Sequence, residues 1–193
     1  MMERPKIMEG EKVSLAVILK EDKDKWFLWT NDSNIQSFLN DGAKIHLREE
    51  FDEIYEMSKK NKQKRVDFAI VNDTNGELIG FVGLQGINWV SRHAMVWYVI
   101  AREHWGNGYA SEALSLLCKF AFENMNLNKL WARVHEPNKA SQRVLEKNGF
   151  KFVGRLRKHV YLPEFGYVDE LHYDLLREDN KGGMGFSFSG CWL

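Results

Sequence analysis

The stretch KVSLAVILK (12–20) is rich in Val, Ile and Leu and predicts a first strand. EDKDKWFLWTND (21–32) predicts a helix, with Trp26, Phe27, Leu28 and Trp29 crowding its apolar side. REEFDEIYEMSKKNK (48–62) predicts a second helix: Phe51, Ile54, Tyr55 and Met57 fall near helical spacing, acids lead it and lysines close it, as the helix dipole favours. RVDFAIV (65–71) and ELIGFVGLQGI (77–87) predict two strands joined by NDTNG, in which Asn75-Gly76 is a hairpin-turn signal. A connection over 88–93 leads to the strand AMVWYVI (94–100). A helix over 110–124, the strand KLWARV (129–134), a short helix within 138–150 and the strand KFVGRL (151–156) follow. YVDELHYDLL (167–176) alternates, putting Leu171, Tyr173 and Leu175 on one face of a last strand.

Consecutive strands in the middle of this order imply antiparallel pairing, and the crossover through helix 110–124 implies one parallel pair. The expected fold is therefore α/β of the α+β type: one domain over 1–178, with a mixed, mostly antiparallel sheet covered by helices. The segment 179–193 is glycine-rich and shows neither period, so it reads as a C-terminal tail, flexible or vector-derived.

Composition narrows the function more than the fold. The 193-residue chain has formal net charge zero, which lacks the footprint of a general nucleic-acid binder. No apolar run reaches the roughly 20 residues that span a bilayer, and the N-terminus lacks the apolar core of a signal peptide, so the expectation is a cytoplasmic protein with no membrane partner. The two cysteines, Cys118 and Cys191, and the six scattered histidines have no metal-ligand spacing, so no metal is expected.

The chemistry concentrates in WGNGYASEAL (105–114). Helix N-termini leave N–H groups without partners and carry partial positive charge, and glycines before one let a phosphate approach closely. Gly106 and Gly108 suit that purpose. Two familiar phosphate loops fail here: neither glycine is followed by Lys, as the P-loop needs, and Ser111 stands where the dinucleotide fingerprint needs a third glycine. About thirty residues on, a strand ends in Pro137-Asn138, a short helix follows, and Lys147-Asn148-Gly149-Phe150 closes it. Asn138 is a good N-cap and Gly149 a good C-terminal stop.

These two segments, in this order and spacing, resemble the GNAT superfamily of N-acetyltransferases, and within it the branch of ribosomal-protein N-terminal and spermidine N-acetyltransferases. The likeness runs from about residue 10 to about residue 178. The family's coenzyme A loop, [QR]-x-x-G-x-[GA], falls on Trp105-Gly106-Asn107-Gly108-Tyr109-Ala110, with Trp105 where Gln or Arg is usual. The resemblance implies a central sheet splayed in the middle, with helices on both faces, and acetyl transfer from acetyl-CoA to a primary amine on a protein N-terminus or small polyamine. It implies direct attack in a ternary complex, and it favours a homo-oligomer. A catalytically silent acyl-CoA binder of the same fold is the alternative.

The resemblance also assigns roles. The backbone N–H groups of Gly106, Asn107, Gly108, Tyr109 and Ala110, with Trp105 and Ser111 beside them, would hold the pyrophosphate. Tyr98, Val99 and Ile100 would hold the pantetheine arm through their backbone, and Asn138 would face it. The tyrosine that many members use as general acid falls on Leu145, which cannot donate a proton, so Ser141 is the expected hydrogen-bond donor to the leaving sulfur. A glutamate that some members carry falls on Met95. His93, Glu170, Asp169, His172, Glu49 and Glu50 remain open as the base. The acceptor is expected between the early helices and the loop YLPEFGYVDE (161–170), where Tyr161, Phe165 and Tyr167 would flank an amine and Glu164, Asp169 and Glu170 would attract one. Trp26 and Trp29 read as core, and Trp89 as a contact residue.

Overall fold

The computed structural model describes residues 4–39, 47–50, 52, 53, 56 and 63–180. Eight strands form one sheet: β1 (Lys6–Glu9), β2 (Val13–Ala16), β3 (Arg65–Asn72), β4 (Leu78–Asn88), β5 (His93–Ile100), β6 (Lys129–His135), β7 (Lys151–Leu162) and β8 (Gly166–Leu176). Their order is β1-β2-β3-β4-β5-β6-β8-β7. All neighbours pair antiparallel except β5 and β6, which run parallel.

The β5–β6 ladder is short. Its register covers His93↔Lys129, Ala94↔Leu130 and Met95↔Trp131, and from Val96 and Ala132 onward the strands diverge. β5 keeps β4 as a partner as far as Ile100, and β6 keeps β8 as far as His135. The splay is thus confined to one seam in an otherwise continuous sheet.

Helices cover both faces. α1 (Asp22–Thr30) and α2 (Ser33–Leu39) lie on one, where Trp26 and Ile35 pack with Ala69, Val71, Phe81 and Val99. Trp26 stacks between Phe81 at 4.7 Å and Trp97 at 5.6 Å. α3 (Tyr109–Lys119) covers the other face, with Leu114 and Leu117 fully buried against Val13, Leu15, Ile70 and Leu130, and α4 (Lys139–Lys147) adds Leu145.

Several sequence expectations shift. The first strand stops at Ala16 because Arg4 and the backbone N–H of Leu19 both bind the Asp22 carboxylate, turning the chain into α1. Leu28 does not join the apolar side of α1: it is 63% exposed, since Trp26 is the apolar residue that α1 buries. Trp29 is half-buried, with its ring 5.6 Å from Phe81. Strand β1, helix α2 and the second half of β7 were not expected. Residues 48–50, 52, 53 and 56 are helical, while the rest of the 48–62 expectation lies outside the described residues. Residues 177–179 form a 3-10 turn in which Asp179 pairs with Lys151 at 2.6 Å, and the tail from 181 lies outside the described residues. The Asn75-Gly76 hairpin forms as expected, with Gly76 at φ 72°.

Candidate active site

A cleft of about 490 Å³ occupies the seam where β5 and β6 part. Its walls come from both sheet faces. Ser141, Val144 and Leu145 of α4 and Tyr109 to Ser111 of α3 line one side, and Asn34, Ile35 and Phe38 of α2 line the other. The cleft therefore passes through the sheet.

The glycine turn opens at one end. Gly106 (φ 80°) and Gly108 (φ 83°) are left-handed, and Gly108 caps α3 without any side-chain hydrogen bond. Among the described residues, the N–H groups of Gly106, Asn107 and Gly108 find no partner, and those of Tyr109 and Ala110 are the free donors of a first helical turn. Such a ring of N–H groups at a helix N-terminus suits a phosphate. The Asn107 side chain closes the turn from inside, donating to the carbonyls of His104 at 3.1 Å and Trp105 at 3.2 Å. The cations Arg143 and Lys147 also line this cleft, as does His104.

Trp105 has a structural reason to replace a polar residue. Its indole Nε1 donates to the Ile100 carbonyl at 2.8 Å, tying the turn back to the end of β5, although the ring is 47% exposed. Ser111 is held from the C-cap of α4, where Asn148 Nδ2 donates to its hydroxyl at 3.1 Å.

Alternation along β5 narrows one expectation. Ala101 N–H bonds to Ile79 O, so by the antiparallel pattern Val99 also turns its backbone toward β4. Its carbonyl lies only 2.3 Å from where a Cβ on Gly80 would stand. Val99 thus offers side-chain lining, and the backbone groups of Tyr98 and Ile100 are the ones that face the seam. One of those, the Ile100 carbonyl, is already engaged by Trp105.

Asn138 caps α4: its Oδ1 accepts from Ser141 N–H at 3.0 Å. Ser141 sits in the first turn, and its Oγ is 2.7 Å from the Tyr98 hydroxyl. The sequence reading gave Tyr98 a backbone role alone and missed this side chain. Burial pushes the Tyr98 phenol well above its ordinary value, and the hydrogen bond with Ser141 offsets part of that. Leu145, at the position of the usual tyrosine, is fully buried and lines the cleft.

The base candidates do not converge here. Glu170 is buried, with Oε1 2.9 Å from His172 Nε2 and Oε2 3.4 Å from Arg133. Asp169 accepts from Lys158 N–H at 2.8 Å and pairs with Arg155 at 3.3 Å. His93 and His172 line a separate hollow with Lys129 and Asp174, and Glu49 and Glu50 stand in the helical residues 48–50. Among the described residues no carboxylate lines the cleft, whereas Arg133 and His135 do, beside Gln85, Met95 and Trp97. Phe165 lies 6.4 Å from Phe38 at the cleft mouth, while Tyr161 and Tyr167 pair with each other on the exposed side of the β7–β8 hairpin. Trp89 donates from Nε1 to Gln63 O at 2.5 Å.

Asp67 was not singled out in the sequence. It accepts from Trp97 Nε1 at 3.0 Å and pairs with Arg65 at 2.5 Å, while the Arg65 guanidinium lies 5.1 Å over the Trp97 ring. Together they fix one wall of the α2 side of the cleft. Among the described residues no helix is long and apolar enough to cross a membrane.

Comparison with known proteins agrees with this geometry. Residues 13–151 match the family model described as an acetyltransferase (GNAT) domain. The N-acetyltransferase YoaA of Bacillus subtilis is 28% identical over 156 residues, covering 80% of this chain and 88% of YoaA. The ribosomal N-acetyltransferase-like protein YdaF of the same organism is 32% identical over 108 residues, covering 56% of this chain and 58% of YdaF. A crystal structure of Vibrio cholerae spermidine N-acetyltransferase with CoA and spermine superposes with a TM-score of 0.80 at 24% identity, covering 88% of this chain and 98% of that one. The splayed eight-stranded sheet, the glycine turn before α3 and the family match together make this chain a member of the GNAT family, an acetyl-CoA-dependent N-acetyltransferase.

Proposed function

We propose that the protein moves the acetyl group of acetyl-CoA to the primary amine of a peptide or protein N-terminus, by direct attack in a ternary complex. The observation that carries this is the seam itself: one cleft, open to both sheet faces, with unpartnered N–H groups at its α3 end. In this reading the backbone of Gly106 to Ala110 takes the pyrophosphate, with Arg143 and Lys147 supplying charge. Tyr98 and Ile100 flank the pantetheine arm, with Asn138 facing it. The acceptor enters past α2, between Phe38, Trp97 and Arg133. Ser141 donates a hydrogen bond to the sulfur as the carbon–sulfur bond breaks.

The lining supports a peptide α-amine over a polyamine. A polyamine brings several positive charges and calls for carboxylates, and no carboxylate is among the lining described. An α-amine also has a reference pKa of about 7.7–8.0, against about 10.4 for an alkylamine such as Lys, so it is already partly neutral near pH 7. It therefore needs little help from a base. A small polyamine is the second reading, supported by the spermidine N-acetyltransferase likeness.

Thiol release with acetyl-CoA on a panel of peptides and polyamines tests this. The expected result is release with peptide α-amines and a slower rate with spermidine. Spermidine turning over faster than every peptide reverses the order of acceptors. In Ser141→Ala, turnover is expected to fall about tenfold or more with acetyl-CoA affinity nearly unchanged, as losing one transition-state donor implies. Wild-type turnover in that variant removes Ser141 from the mechanism.

A further inference from the structure

We infer that Tyr98 is a positioning residue for the reaction: its phenol fixes the Ser141 hydroxyl so that the serine proton points at the leaving sulfur. This rests on the reading of Ser141 given above.

The two side chains come from elements 43 residues apart and meet at the seam, both lining the cleft. A serine hydroxyl rotates freely, and in the first turn of a helix it competes for nearby backbone acceptors. Left alone, it would spend much of its time turned away from the cleft. The Tyr98 hydroxyl removes that freedom. Its 2.7 Å contact to Ser141 Oγ is short, whereas its 3.3 Å contact to the Ser141 carbonyl is long. Either oxygen can donate across the 2.7 Å contact; when the phenol donates to Oγ, the serine proton is left free for a second acceptor, and that is the arrangement the reaction uses.

Burial keeps the phenol neutral, so Tyr98 does not itself ionise. The other fixings agree: Asn138 Oδ1 anchors Ser141 N–H at 3.0 Å, and the serine stands in the first turn of α4, where the helix dipole favours a developing thiolate. When the carbon–sulfur bond breaks, the electron pair stays on sulfur, and Ser141 O–H donates a hydrogen bond to it. The surplus proton on the attacking nitrogen passes to water, and water then protonates the thiolate. Tyr98 gives up no proton at any step.

A cycle of Tyr98→Phe, Ser141→Ala and the double variant tests the inference. Phenylalanine keeps the ring that packs against the core and removes the hydroxyl alone. The expected result is a fall in kcat of about tenfold in Tyr98→Phe, the scale of one lost hydrogen bond. KM for acetyl-CoA should stay within about twofold, and the double variant should be no slower than Ser141→Ala, because Tyr98 acts through Ser141. Losses that multiply in the double variant overturn the inference, as does an unchanged kcat in Tyr98→Phe. A rise in KM at constant kcat also overturns it and makes the contact a binding or packing tie. If Ser141→Ala itself turns over like the wild type, the role of Ser141 fails and this inference with it. If Ser141→Ala is slow and Tyr98→Phe is not, the inference alone fails.

Discussion

At the scale of single residues, Trp105 shows how one side chain does two elements' work. Its indole spans from the glycine turn to the last carbonyl of β5, so the usual amide or cation has been exchanged for a fixed tie. Trp105→Phe keeps most of the ring and removes the donor. A net hydrogen bond contributes about 0.5–1.5 kcal/mol, so KM for acetyl-CoA should rise roughly two- to tenfold with kcat little changed. An unchanged KM would mean that the turn holds its shape without the tie. Asp67 carries a different prediction, one of pH. Desolvation pushes its carboxyl above the ordinary 3.8, and the Arg65 pair and the Trp97 bond offset this only in part. A raised native pKa means that the folded state holds the proton more tightly. The stability contributed by this group is then full below the unfolded value and is lost as pH rises through the native one. The stability difference between wild type and Asp67→Asn should therefore fall as pH climbs above about 4, read from urea midpoints at several pH values. A difference that grows with pH would show that the Arg65 pair outweighs burial.

At the scale of elements, what positions the N-terminus of α3 was not legible in the sequence. Glu112, in its first turn, reaches back to the β1–β2 turn, where its Oε1 accepts from the N–H groups of Glu11 at 2.6 Å, Lys12 at 2.8 Å and Val13 at 3.4 Å. Gly10 is required beside it, because a Cβ there would stand 2.7 Å from the Val13 carbonyl oxygen as well as 2.4 Å from the Glu112 oxygen. Glu112→Ala should cost about 1–3 kcal/mol through the lost hydrogen bonds to a charged acceptor and loosen the turn that precedes the helix. Chemical denaturation gives the stability, and a larger KM for acetyl-CoA gives the effect on the turn. In sequence, Glu112 reads as an acid in a first helical turn, a local feature, whereas its partners lie a hundred residues upstream. Legibility follows that division. The Asn75-Gly76 hairpin, the glycine turn and the Asn138 cap depend on their own neighbours and were found from them. Strand β7 leaves its side chains exposed or half-buried at the sheet edge until Val160 and Leu162, and that alternation is too short to mark a strand in the sequence. Tyr98 received a backbone role alone because nothing local says that Ser141 stands opposite its side chain.

At the scale of the whole molecule, a formal net charge of zero gives no general attraction for a polyanion, so net charge by itself excludes no acidic ligand and promises none. The fold changes this by sorting charges. Acids that would oppose an anion are occupied elsewhere: Glu112 by backbone donors, Asp174 by Lys129 at 2.5 Å, Asp169 by Arg155. The cleft lining keeps Arg143 and Lys147. Arg143 and Lys147 lie four residues apart on α4, one turn, and both are exposed. Coenzyme A phosphates held first by backbone N–H groups would feel these two as a second, softer layer. Exposed charge contacts contribute about 0.2–1 kcal/mol each, so the double change Arg143→Ala, Lys147→Ala should weaken coenzyme A binding roughly two- to thirtyfold at low ionic strength. The Debye length shrinks to about 3 Å at 1 M salt, so most of that loss should vanish there, while the grip of the glycine turn persists. Titration calorimetry at two salt concentrations separates the layers. A loss of affinity that is the same at both would mean that the two side chains act by packing against the ligand, and that backbone donors alone carry the recognition of charge.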